Sequence, residues 1–170
     1  MLTMDVLGVR ARVPDNEVVV VLGERGGPRV VPIVIGPREG AAIASAQAGL
    51  VPPRPQTHDL FMNTLAAVGR SVVEVRIMDL REGTFHAELV LDNGVVVDSR
   101  ASDAIALAVR AGCEVQCTED VVEEAGVVLE EEDAAEVDEE EAVEQFKEFL
   151  ESISPEDFEE QRLPSTSTGG

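Results

Sequence analysis

The segment 98–108 places two carboxylates, one guanidinium and two hydroxyls around a single predicted strand-to-helix corner. Ser99, Arg100 and Ser102 are residue types that bind phosphate oxygens, and Asp103 could transfer a proton or bind a metal ion. Asp103 also lies at the positive end of the dipole of the following helix, which the Ser102 hydroxyl is suited to cap. The segment is therefore either half of an active site or a well-capped helix.

A second candidate group surrounds His58, one of two histidines in the chain. It follows the proline-rich segment 51–55, which contains Arg54, and it opens a predicted helix together with Asp59. A histidine at this position could act as a general base or a metal ligand, because imidazole titrates near neutral pH. Consecutive helical residues do not face each other, so His58 and Asp59 form no dyad by themselves. The alternative is a capping aspartate beside a solvent-facing histidine; the other histidine, His86, is predicted to be exposed on a strand and without a role.

Three predicted helices carry an acidic residue in the first turn, namely Glu39, Asp59 and Asp103. This position is favourable for a carboxylate whatever its function, because the helix dipole is positive there. If the three helix ends converged, their oxygens could hold Mg²⁺ or Mn²⁺, as in metal-assisted hydrolysis of phosphodiesters. Arg54 and Arg100 would then bind the phosphate.

Hydrophobic patterning predicts about seven strands in hairpins and meanders, interrupted by three short helices. The strands are 1–13, 18–22, 30–35, 72–80, 84–91, 94–98 and 114–118, and the helices are 39–48, 59–68 and one that Gly112 ends. Strict strand–helix–strand alternation is missing, which argues against an open parallel sheet. We predict an α+β fold with a largely antiparallel or mixed sheet.

The helix 59–68 is predicted to be capped by Thr57 or Asp59 and to bury an apolar stripe. That stripe consists of Leu60, Phe61, Thr64, Leu65 and Val68.

Charge divides the chain into a nearly neutral body and an acidic tail. The net charge is −21, and residues 119–170 hold 20 of the 34 acidic side chains but only two of the 13 basic ones. We predict a folded domain over 1–125 and an acidic tail over 126–170, with an amphipathic helix at about 138–152 and a disordered end.

Neither the cysteines nor the apolar segments indicate secretion or membrane insertion. Cys113 and Cys117, four residues apart on a predicted strand, are expected to be free buried thiols. Signal-peptide and membrane-spanning patterns are missing, so we predict a cytoplasmic protein. The glycine-rich loop 23–27 lacks the Lys-Ser/Thr ending of a phosphate-binding loop, and no organic cofactor is expected.

Three blocks of sequence resemble the bifunctional nuclease family. They are Val-Ile-Gly at 34–36 with Glu39 and Ala-Ala-Ile at 41–43, Arg-Pro-x-Thr-His-Asp-Leu at 54–60, and the segment 98–108. The usual Pro of the last block is Ala101 here.

The resemblance implies a compact α+β domain, often a homodimer, that cleaves both DNA and RNA. It carries possible site roles over to Glu39, His58, Asp59, Arg100 and Asp103.

A non-enzymatic function is the alternative. Binding of nucleic acid depends mainly on Lys and Arg that neutralise phosphates, and the body has no surplus of them. The chain would then be a dimeric binding or regulatory module, with the helix 138–152 contacting a partner or the body itself. If it is a nuclease, the acidic tail could compete with nucleic acid for the arginines.

Overall fold

The computed structural model describes residues 1–12 and 17–128 of the 170-residue chain. The helix predicted at 138–152 and the disordered end lie outside these residues. The described elements, in chain order, are β1 (Leu2–Arg12), β2 (Glu17–Glu24), β3 (Arg29–Ile35), α1 (Pro37–Gln47), α2 (Thr57–Ala67), β4 (Val72–Arg81), β5 (Thr84–Leu91), β6 (Val96–Arg100), α3 (Ala101–Ala111), β7 (Glu114–Cys117), α4 (Glu119–Ala125) and β8 (Val127–Val128).

The strands form one mixed sheet in the order β6-β5-β4-β7-β1-β2-β3-β8. Two antiparallel meanders, β1-β2-β3 and β4-β5-β6, are joined by β7, which runs antiparallel to β1 and parallel to β4. The prediction of an α+β fold with a largely antiparallel or mixed sheet is confirmed. The first meander follows from β-branched runs around a Gly-Gly loop, and the second from the Asn93–Gly94 turn, where Gly94 has a φ of +80°.

Of the four described helices, α3 is the most deeply packed. Seven of its eleven residues are buried, among them Ala104, Ile105 and Ala108. The alanines let the helix lie close to β4 and β5, and Gly112 ends it in the left-handed conformation, as predicted. Ser102 is not the N-cap that we predicted, because the extended chain of β6 continues to Arg100 and the helix starts one residue later, at Ala101.

Helix α2 differs from its prediction in two ways. It buries no residue: Leu60, Phe61 and Val68 are 58%, 40% and 66% exposed, and only Met62 and Leu65 pack partly against the core. The predicted buried stripe is therefore wrong over most of its length. The N-cap is Gln56 rather than Thr57 or Asp59, and the Asp59 carboxylate accepts a hydrogen bond from the backbone N–H of Gln56.

The folded part extends further than the composition indicated. Three helices were predicted and four are described, because the acidic segment after Thr118 forms α4. The Thr118 hydroxyl caps this helix by accepting a hydrogen bond from the N–H of Val121, and the side chains of Val121 and Val122 are buried in the core. β8 then pairs with β3, two to three residues past the boundary predicted at 125.

Both cysteines are free thiols, with Cys117 buried in β7 and Cys113 half-buried just before that strand rather than on it. Burial raises the pKa of the Cys117 thiol to about 11, so it stays protonated at neutral pH. Within the part of the chain that is described, each helix is too short or too polar to cross a bilayer.

Candidate active site

The first turns of α1, α2 and α3 meet at one cleft of about 550 Å³. Its charged and titratable lining residues are Arg38, Glu39, His58, Arg100 and Asp103. Charged and titratable lining residues of different helices, 19 to 65 positions apart in the sequence, are therefore neighbours, because three helices start at the same end of the domain. The positive ends of three helix dipoles point toward this region, which favours an anion there.

A direct contact joins His58 and Asp103, the two residues of the cleft best suited to transfer a proton. The His58 Nε2 atom lies 3.0 Å from the Asp103 Oδ1 atom, and the two side chains are 16% and 32% exposed. Burial raises the pKa of the Asp103 carboxyl, but the hydrogen bonds and charges of Arg100 and His58 outweigh that effect and leave the pKa below its ordinary value. Asp103 is thus a carboxylate at neutral pH and fixes the orientation of the imidazole.

Arg100 bridges the two carboxylates of the cleft. Its Nε donates to Asp103 Oδ2 at 2.6 Å, and its Nη1 lies 3.2 Å from Glu39 Oε1. The Arg100 side chain is 66% exposed, so it remains accessible from solvent. The Glu39 carboxylate folds back over Gly36, so a Cβ at position 36 would require the flexible Glu39 side chain to shift. Gly36 thus accommodates Glu39 in the position from which it contacts Arg100.

Asp59 faces away from the cleft and connects helices. Its Oδ2 accepts from the Gln56 N–H at 2.9 Å and its Oδ1 accepts from Arg110 Nε at 2.8 Å. These hydrogen bonds, first that from Arg110, lower the pKa of the Asp59 carboxyl. Arg110, 11% exposed, also donates from Nη1 to the carbonyls of Ala42 and Ala106, at 3.1 and 2.9 Å. One guanidinium thus holds the start of α2, and with it His58, against α1 and α3.

The predicted metal set does not converge on one position. Both oxygens of Asp59 are engaged by Gln56 and Arg110, and Arg100 lies between Glu39 and Asp103. Within residues 1–12 and 17–128, no three His, Cys, Asp or Glu side chains are arranged to share an ion. Glu39, Asp59 and Asp103 in this arrangement do not fit a common divalent cation.

The predicted phosphate-binding residues separate in the structure. Arg100 lines the cleft, whereas Arg54 is exposed in the connection before α2 and is not a lining residue. Ser99 and Ser102 do not line it either: the Ser99 Oγ is buried without a hydrogen-bond partner, and Ser102 is 8% exposed. His86, for which we predicted no role, lies half-buried on β5 and is not a lining residue.

Two relevant arginines escaped prediction. Arg38 is exposed, lines the cleft and belongs to the first turn of α1. Its position next to Glu39 in a predicted helix start was the available signal. Arg110 gave only the signal of a basic residue in a last helical turn, which the dipole favours in any helix.

Comparison with known proteins identifies the chain's relatives. Residues 20–130 match the family model described as the bifunctional nuclease domain. Two uncharacterized proteins of Mycobacterium tuberculosis, MT1877 of strain CDC 1551 / Oshkosh and Rv1829 of a second strain, are each 47% identical to it over 156 residues, which cover 90% of this chain and 95% of theirs. The family match confirms the resemblance seen in the sequence blocks. The chain belongs to the bifunctional nuclease domain family.

Proposed function

We propose that this protein is a nuclease that hydrolyses phosphodiester bonds of DNA and RNA, with His58 and Asp103 as the proton-transferring pair. The observation that carries the proposal is the 3.0 Å contact between His58 Nε2 and Asp103 Oδ1 at a cleft that Arg38 and Arg100 border. Family membership supports the reaction class. A carboxylate-oriented imidazole is a common general base, and guanidinium groups are common ligands of phosphate.

The proton transfer follows from the hydrogen bond. When Asp103 accepts the N–H at Nε2, the proton-free nitrogen of His58 is Nδ1, which can accept a proton from water. The water oxygen then attacks phosphorus, the bond between phosphorus and the leaving oxygen breaks, and the leaving oxygen takes up a proton from the imidazolium or from solvent. One water is consumed, and a phosphate monoester and a hydroxyl are formed.

The phosphate would be held by Arg38 and Arg100 together with backbone N–H groups at the helix starts. The N-caps of α1 and α3 are Gly36 and Arg100, and neither provides a capping side chain, so donors in those first turns remain free for an anion. To bind the phosphate, the Arg100 side chain would give up a contact with Glu39 or Asp103. In this proposal Asp59 positions α2, Arg54 contacts substrate only outside the cleft, and Ser99 and Ser102 make no contact with it because their side chains are buried.

Whether hydrolysis requires Mg²⁺ or Mn²⁺ is a separate question that the activity assay answers. Glu39 and Asp103 are the carboxylates that face the cleft, and they would be the ligands of an ion bound there once Arg100 moved aside. The mechanism above contains no step that uses the ion. Comparing turnover in EDTA, Mg²⁺ and Mn²⁺ measures whether one is needed.

The test is cleavage of single-stranded DNA and RNA by the full chain at low salt. His58→Ala and Asp103→Asn are expected to lower kcat about 10²- to 10⁴-fold, the usual contribution of general acid–base catalysis. His86→Gln is the matched control, because it removes the other histidine, which lies outside the cleft, and it should retain wild-type turnover.

Circular dichroism and thermal unfolding verify that the variants are folded. Activity that survives both His58→Ala and Asp103→Asn would refute the assignment of the site, and complete inactivity of the wild type on all substrates with either metal would refute the nuclease function.

The exposed apolar face of α2 favours a second candidate, a dimeric binding module. Leu60, Phe61 and Val68 expose apolar surface on one helix, and burial against a second copy of the chain would remove it from water. Light scattering after gel filtration tests this: the wild type should be a dimer, and the double variant Leu60→Ser with Phe61→Ser should be a monomer. A monomeric wild type at micromolar concentration would contradict it.

We place either activity in the cytoplasm, as the sequence led us to predict. Two free thiols, one of them buried, suit a reducing compartment. Fractionation of expressing cells tests this location, and recovery of the protein outside the cytoplasmic fraction would contradict it.

A further inference from the structure

The size of the cleft matches a small ligand. At about 550 Å³, it has the volume of pockets that bind one small molecule, roughly 300–1,000 Å³. Its walls include the first turns of three helices that converge. A nucleotide with its phosphodiester is a ligand of this size class.

The charges inside the cleft also match a small ligand. The two guanidinium groups of Arg38 and Arg100 are opposed by the carboxylates of Glu39 and Asp103, so these four lining residues carry no net charge. Arg100 already has two carboxylate partners. Among the described residues, Arg38 is the lining cation without a carboxylate partner, which is enough to engage one phosphate group.

Most arginines outside the cleft have carboxylate partners of their own, although Arg10, Arg12 and Arg54 have none among the described residues. Six other arginines of the described residues are already paired with carboxylates of the domain itself: Arg25, Arg29, Arg70, Arg76, Arg81 and Arg110. Proteins that bind long strands neutralise several phosphates with Lys and Arg at once, and affinity then falls steeply with salt. The described part of the chain lacks lysine altogether, so few cations are available to neutralise the phosphates of a long strand.

We propose that the cleft takes one nucleotide unit with its phosphodiester, so that the substrates are chain ends and dinucleotides rather than the interior of a long strand. This inference rests on the proposed nuclease function and specifies its substrate class. Arg38 and the helix starts hold the single phosphate that is cleaved, and the rest of the strand stays in solvent.

Equilibrium binding tests the inference independently of turnover. Fluorescently labelled oligodeoxynucleotides of 2, 5 and 15 residues are titrated against the full chain, as wild type and as His58→Ala. We expect dissociation constants that differ by less than about threefold across lengths, and a slope of log K against log salt of about −0.7 to −1.4, the value for one or two phosphates on a single strand. A 15-mer that binds more than thirtyfold tighter than the dinucleotide, with a slope steeper than about −3, would overturn the inference, as would no binding of any length.

Paired variants tie the binding to the cleft. Arg38→Gln should weaken dinucleotide binding about tenfold, whereas Arg81→Gln, in an exposed pair with Asp79, should leave it unchanged. Equal effects of the two would count against the assigned site.

Cleavage of linear and covalently closed single-stranded DNA of one sequence gives the second readout. The linear form should be degraded and the circle should resist; nicking of the circle at the linear rate would overturn the inference while leaving the nuclease function intact. Length-independent binding without cleavage of any substrate would refute the nuclease function but would still support a site for one nucleotide unit.

Discussion

Helices α2 and α3 have the same length, and each carries one half of the His58–Asp103 pair, but they are held in place by different forces. α3 buries seven residues in the core, so packing fixes Asp103. α2 buries none, and His58 depends on partial packing of two side chains and on the Asp59–Arg110 contact. One wall of the cleft is thus part of the core, and the other is attached to it through polar groups.

The largest expected effect separates the two helices by stability. Ile105→Ala in α3 should lower the free energy of unfolding by about 3 kcal/mol, because Ile105 is fully buried and its loss leaves a cavity. Leu60→Ala in α2 should change it by less than about 0.5 kcal/mol. Urea denaturation at low protein concentration measures both. Equal losses would mean that α2 is packed as firmly as α3.

Removal of Arg110 tests the polar attachment. Arg110→Met should lower the free energy of unfolding by about 1–3 kcal/mol, because the half-buried Asp59 carboxylate and two carbonyls each lose one hydrogen-bond donor. We also expect a roughly tenfold fall in kcat with little change in KM, since His58 would no longer be held against Asp103.

A cycle with Asp59→Asn shows whether the two residues act together. If they do, the double variant is hardly worse than Arg110→Met alone. Strictly additive losses would indicate that Arg110 acts without Asp59.

The contribution of the Asp59–Arg110 contact should also be visible in the dependence of stability on pH. The folded-state pKa of both Asp59 and Asp103 lies below the ordinary value of 3.8, so their contribution is complete above that pH and is lost as pH falls through the lower folded pKa. The Tm of the wild type should therefore drop below about pH 4. Asp59→Asn and Arg110→Met should both flatten this drop, and a curve as steep as that of the wild type in either variant would contradict the assignment.

The smallest expected effect concerns the open side of the cleft. Glu39→Gln should change the free energy of unfolding by less than about 0.5 kcal/mol, because its partner Arg100 is mostly exposed and keeps Asp103. Dinucleotide binding should tighten about two- to threefold as Arg100 becomes more available. Weaker binding would instead show that Glu39 contributes directly to holding the substrate.

Local sequence signals predicted much of the fold. The Asn93–Gly94 turn and the β-branched runs produced both meanders, and Gly112 ended α3 as expected. The predictions failed where one sequence pattern is compatible with two different structures. An apolar periodic stripe marks a face that avoids water, but it does not say whether the core covers that face, and on α2 it does not. In the same way, the acidic run after Thr118 concealed Val121 and Val122, which are buried.

The candidate site was foreseen as a set of residues but not as a geometry. The helix starts that carry Glu39, His58 and Asp103 do meet, whereas Asp59, one residue from His58, points elsewhere. Asp59 and Arg110 are 51 positions apart and His58 and Asp103 are 45 apart, so no local rule selects one pair over the other. Only the packing of three helices on one sheet decides which carboxylate faces the cleft.

The position of β7 has a consequence for how the protein is made. Cys117 pairs with Leu2 and with Ile77, so this short strand is the seam between the two halves of the sheet. Each meander can assemble soon after its synthesis, but one edge each of β1 and β4 stays unpaired until residues 114–117 leave the ribosome. A nascent chain stopped before that point would expose two unpaired strand edges. We expect such a chain to aggregate or to require a chaperone.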